Sequence, residues 1–141
     1  MRKFLAARNF LADRQGATAV EFALILPAMV LMILGLVEGN RYLWSQQAVQ
    51  EITSHSARCM AIGTNGCDTV DGVRNYAQQR ASNAGVKVTI SNVTALADQT
   101  CNGSDNMSKV TVTAPFNSPL TTMIPLFPKT VSAEACFPNL A

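Results

Sequence analysis

Histidine and charge are scarce in this chain of 141 residues, and paired-cysteine metal motifs are absent. There is one histidine, His55, and charged residues make up 14% of the chain against 48% hydrophobic. Soluble domains usually carry about 25% charged residues. The shortage implies that part of the chain lives outside water. No CxxC occurs, and His55 lies four residues before Cys59, which offers one conceivable ligand pair and no complete zinc site. His55 is therefore read as a helix-surface residue. There is no phosphate-binding glycine loop and no nucleophile beside a plausible base, so no enzymatic activity and no cofactor or metal is expected. There is no internal repeat, and no basic stripe of the kind nucleic acid requires.

The charge that is present is unevenly placed. Residues 1–16 hold Arg2, Lys3, Arg8 and Arg14 against Asp13, whereas residues 17–141 hold seven basic and eight acidic groups. A basic segment directly before an apolar run marks the side of a membrane that stays in the cytoplasm. The run itself, Ala17 to Val37, contains one charge, Glu21. Twenty-one helical residues rise about 31 Å, close to the hydrocarbon thickness of a bilayer. Pro27 is tolerable in such a helix. Ordinary signal cleavage is disfavoured because "GLVEGNRYLW" offers no small-x-small site. Tyr42 and Trp44 fall just past the span, at headgroup level, and Val49 and Ile52 continue a helical face to about Met60. Gly39 and Asn40 are the weak points of that helix.

A lone carboxylate in lipid costs about 2.5–3.5 kcal/mol on insertion scales and needs a partner unless it snorkels to the headgroups. Gly16 followed by "ATAVEF" resembles the processing site of type IV prepilin-like proteins. The stretch "GATAVEFALILPAMVLMILGLVEGNRYLWSQQAVQEITSHSARCM" is similar to the N-terminal region of the TadE-like pseudopilins of the Tad (tight adherence, Flp-type) pilus system. The resemblance implies that a prepilin peptidase cuts between Gly16 and Ala17. Glu21 then becomes the fifth residue of the mature chain, followed by Phe22. The cut frees an ammonium on Ala17, an opposite charge that Glu21 can meet in the same or a neighbouring subunit. The implied partners are the peptidase, the inner-membrane Tad platform proteins, other pseudopilins or pilin, and the lipid bilayer, with no nucleic acid. An unprocessed, membrane-anchored adaptor or binding protein is the alternative. A secreted chain that loses its first forty residues is a further one. Gly35 and Gly39 form a G-x-x-x-G that permits close helix packing, and Glu38 between them stands where the span ends and a carboxylate meets water.

Beyond Met60 the pattern changes. "GTNGCD" is rich in turn formers, and Val73, Tyr76, Ala77 and Ala81 predict a second helix over 69–83 that stops at Gly85. Period-two runs of β-branched residues predict strands at 86–93 and 108–116, with 129–137 as a third. The polar "ADQTCNGSDNM" reads as the connection between the first two. "NSPLTTMIPLFP" reads as a proline-rich loop. The expected fold is α+β: a leader at 1–16, a span at 17–37, a continuing helix at 38–62 in the periplasm, and a periplasmic domain at 63–141 with a small antiparallel sheet. All four cysteines lie beyond the span, an even count suited to disulfides in an oxidising compartment. Three pairings are possible. Cys59 with Cys67 and Cys101 with Cys136 is the preferred one, clamping the end of the long helix and tying the inter-strand loop to the last strand.

Overall fold

The computed structural model describes residues 15–64, 66–119 and 128–139. The basic leader up to Arg14 and residues 120–127 of the proline-rich loop lie outside the described residues. The chain divides into two units, one through Gly39 and one from Asn40.

Helix α1 spans Gln15–Ile62, and Pro27 lies inside it. It is helical across Gly39 and Asn40, the positions whose sequence suggested a bend. From Thr18 to Val37 every residue of the helix is exposed. Between Val20 and Val37 thirteen large apolar side chains are 43–75% exposed. A helix that is apolar all round and unburied by its own chain is matched to a solvent other than water.

Within the second unit the same helix becomes amphipathic. Val49, Ile52, Thr53, Ser56 and Ala57 are buried, the i, i+3, i+4, i+7, i+8 spacing of one face. The two hydroxyls sit in the core without penalty because each donates to the carbonyl one turn earlier, Thr53 to Val49 at 2.6 Å and Ser56 to Ile52 at 2.7 Å. Helix α2, Val70–Asn83, is capped by Thr69, whose hydroxyl accepts from the Gly72 amide, and it buries Val73, Ala77 and Ala81. A short 3₁₀ turn, Ile90–Asn92, leads into a three-stranded antiparallel sheet in the order β1 (Val93–Cys101), β2 (Ser104–Pro115), β3 (Thr130–Pro138). One sheet face carries Val93, Ala95, Val110, Val112, Ala114 and Val131 into a single core with the buried faces of the helices. Arg74 fixes α2 to the sheet by donating to the Val93 carbonyl at 3.2 Å.

The α+β class, the second helix and the antiparallel sheet agree with the sequence reading, but the first strand is shifted. Residues 86–89 are not in the sheet, residues 90–92 are 3₁₀, and the strand begins at Val93. Val86 and Val88 are buried and Lys87 and Thr89 exposed. An extended chain lying on the core gives that alternation without any ladder. The segment read as a connection is mostly strand. Its turn is only Asn102 and Gly103, at φ 51° and 82°, the two left-handed residues of a type I′ hairpin, for which Asn-Gly is the favoured pair.

The hairpin end is not a straight ladder. Leu96 pairs with Lys109, Gln99 with Met107 and Cys101 with Ser104. These pairs place one extra residue first on β1, beside Asp98, and then one on β2, beside Asn106. Both residues have positive φ, 53° and 60°. Such bulges bend and twist a strand. Asn139 clamps the two together, its amide nitrogen donating to Asp98 at 2.9 Å and Asn106 at 3.0 Å, while its amide oxygen accepts from Ser108 at 2.6 Å.

Candidate functional site

The residues singled out on chemical grounds lie mainly along α1. Gly16 and Ala17 are helical, and Glu21 follows Ala17 by four residues. In an α-helix that interval is one turn, about 6 Å of rise on nearly the same face. The Glu21 carboxylate is exposed and, among the described residues, has neither a hydrogen bond nor an ion pair. Phe22, Leu24 and Ile25 around it are 60–75% exposed. An unpaired acid therefore stands one turn from Ala17 on an otherwise apolar rod.

Further along, a Cβ added at Gly35 or Gly39 would meet nothing within 4 Å. The two glycines, one turn apart, leave an open notch on the helix surface. Glu38 differs from the solvated reading, because it is only 8% exposed and engaged. The acid at the end of the apolar run is thus held by protein, whereas the acid at its start is not.

In the second unit the cysteines form two bonds, Cys59–Cys67 and Cys101–Cys136. The first closes the turn after α1. The second joins the strands that flank β2. In a straight sheet Cys101 and Cys136, paired with Ser104 and Lys109 of β2, would lie about 19 Å apart, given about 3.3 Å per residue along a strand and about 4.8 Å between strands. Their Cα atoms are 6.4 Å apart. The bulges beside Asp98 and Asn106 lie between the straight part of the ladder and Cys101, where bending and twisting of the strands shortens that separation. His55 is a helix-surface residue beside Glu51, at 3.8 Å.

A groove of about 610 Å³ between α2 and residues 85–89 is lined by Asn75, Gln79, Ser82 and Lys87 among others, with no carboxylate, imidazole or thiol. Sequence reasoning placed Tyr42 at headgroup level but did not single out Phe116 or bring it together with Tyr42 and Arg41. The Tyr42 and Phe116 rings meet edge to face at 5.4 Å, and the Arg41 guanidinium lies 6.0 Å from the Phe116 centroid. No sequence signal joins positions so far apart.

Fold and site together define a small disulfide-bonded α+β protein carried on a helix long and apolar enough to cross a membrane. Residues 16–58, which contain Glu21, Gly35, Glu38 and Gly39, match the family described as TadE-like protein. The match suggests involvement in Tad pilus assembly, and the family is pilus-related and structural rather than enzymatic. No curated protein and no solved structure matches the chain.

Proposed function

We propose that the protein is a minor pilin-like subunit in the biogenesis of a Tad-type pilus. It inserts with its basic N-terminus in the cytoplasm and the unit from Asn40 in the periplasm. A prepilin peptidase cuts it after Gly16, and it acts through lateral packing of its helix. Its direct partners are the peptidase, the inner-membrane Tad platform and other pseudopilins or pilin. The observation that carries this reading is the exposed Glu21, without an ion pair or hydrogen bond among the described residues, one turn from Ala17, inside the segment that matches the TadE-like family. In lipid such a carboxylate needs an opposite charge, and cleavage after Gly16 creates one. Loading into the assembly then depends on processing, because only the cut chain carries the ammonium.

Sequencing the mature N-terminus tests processing. A start at Ala17 is expected, an intact leader supports an unprocessed anchored protein, and a start beyond Val37 supports a secreted one. Glu21→Ala tests the pairing. Insertion and cleavage should persist while co-assembly falls, and unchanged assembly would mean that the acid only snorkels.

A further inference from the structure

Three of the second unit's seven cations, Arg41, Lys87 and Lys129, lie near Phe116 at one end of its sheet. Lys129 accepts the Phe116 amide on its backbone carbonyl at 2.8 Å, so the two residues are neighbours across the Pro115 end of β2. Arg41 stacks on the Phe116 ring. A cavity of about 230 Å³ opens beside them, with Arg41, Ser45, Lys87 and Asn117 among its lining residues. Lys87 and Lys129 are exposed, and among the described residues their ammonium groups have no ion-pair partner. The sheet's acids lie elsewhere. Asp98 and Asp105 are at the hairpin tip, at the other end of β2, and Glu134 is taken up by Lys109 at 2.8 Å.

Arg41, at this basic end, is also close in sequence to the apolar run. Arg41 follows Val37 by four residues of α1, about 6 Å of rise. Trp44, 56% exposed, has its ring edge 3.9 Å from where a Cβ on Gly85 would stand, two residues from Lys87. A cavity with two cations in its otherwise largely apolar lining, beside an exposed indole and four to seven residues past an apolar run of membrane length, suits the headgroup region.

The geometry points to a lipid-docking surface: the Phe116 end of the sheet binds the phosphate of an anionic phospholipid headgroup between Arg41 and Lys87, with Lys129 adding attraction to the anionic leaflet. The inference rests on the reading of Ala17 to Val37 as a membrane span. Docking holds the Phe116 end of the sheet against the bilayer.

The test uses the full chain reconstituted in nanodiscs of phosphatidylcholine alone and of phosphatidylcholine with phosphatidylglycerol, with amide hydrogen exchange read over residues 85–89 and 114–117. Exchange should be slower in the anionic discs at low salt, and the difference should vanish at high salt. A basic residue at an anionic surface is worth about five-fold in binding, so Lys87→Gln and Lys129→Gln should each remove about that much protection. Lys109→Gln, which removes a paired cation of the same sheet, should leave the difference intact. Equal exchange in the two lipids, a lipid difference that survives Lys87→Gln with Lys129→Gln, or an equal response to Lys109→Gln overturns the docking surface. Carbonate extraction of the same samples separates the two readings. Release of the chain contradicts the span, whereas an embedded chain that shows no lipid dependence contradicts only the docking.

Discussion

The Cys101–Cys136 bond should stabilise the second unit more than Cys59–Cys67 does, by an amount set by the chain each one closes. Their sequence separations are 35 and 8 residues. A cross-link that removes loop entropy from the unfolded chain is then worth about 3.8 kcal/mol for the long loop and about 2.5 kcal/mol for the short one. Mutation alone would blur the comparison, because Cys59 and Cys67 are buried, at 6% and 1% exposure, and truncating them also removes packing. Each bond is therefore measured as oxidised minus reduced in a variant that lacks the other pair. Urea unfolding of the full chain in detergent, followed by circular dichroism, gives both differences. The Cys59→Ala/Cys67→Ala variant should lose about 3.8 kcal/mol on reduction, and Cys101→Ala/Cys136→Ala about 2.5 kcal/mol. For a unit of about 100 residues, a gap of about 1.3 kcal/mol corresponds to roughly 5–10 °C in midpoint. Equal losses, or a larger loss for the short loop, would refute the chain-entropy reasoning and place the effect in the folded state.

Three further outcomes are expected. Gly72→Ala puts a methyl 1.7 Å from the Gly66 carbonyl oxygen, a backbone atom, so it should lower stability by about 2–3 kcal/mol through overpacking; an unchanged urea midpoint would show that the Gly66 turn gives way freely. Asn139→Ala strips partners from Asp98, Asn106 and Ser108, with an expected loss of about 1–3 kcal/mol and faster amide exchange at the hairpin tip, and unaltered exchange there would remove the clamp from the account. Gly35→Leu with Gly39→Leu fills the open notch of α1 and should leave the second unit's stability unchanged while reducing lateral cross-linking in membranes; full cross-linking would rule the notch out as a packing face.

Much of this architecture was legible because its signals are local. An apolar run of membrane length, the i, i+4, i+8 spacing of Val73, Ala77 and Ala81, and a single acid among lipophilic residues can each be read within a few turns of chain. The β region shows where such reading stops. In β1 only Val93, Ala95 and Cys101 are buried, so its alternation fades after two residues, whereas Val86 and Val88 alternate perfectly in a segment that joins no ladder. Period two reports one-sided burial of extended chain, not hydrogen bonding to a neighbour. The Asn102–Gly103 turn was available as a hairpin signal but was hidden among other turn formers. The Asn139 clamp joins residues 31 to 41 positions apart and the Arg41–Phe116 contact joins residues 75 apart, and no local pattern specifies either.

The placement of large and small apolar residues accounts for the need for staples. Among the described residues the core holds valine, alanine and cysteine with Ile52 and Phe116, and no leucine or methionine. Leucine and methionine are concentrated instead in the stretch from Leu24 to Leu36, where all of them are exposed. Burial stabilises in proportion to apolar area, so a core of small side chains gains little per residue and leaves a narrow margin over chain entropy. Transferring the bulky side chains to the helix strengthens its partition into lipid at the expense of the outer unit. The disulfides offset that loss by restricting the unfolded chain, without requiring a larger core. A small unit of this kind can therefore stay folded while α1 from Val20 to Val37 stays exposed to meet lipid or another helix.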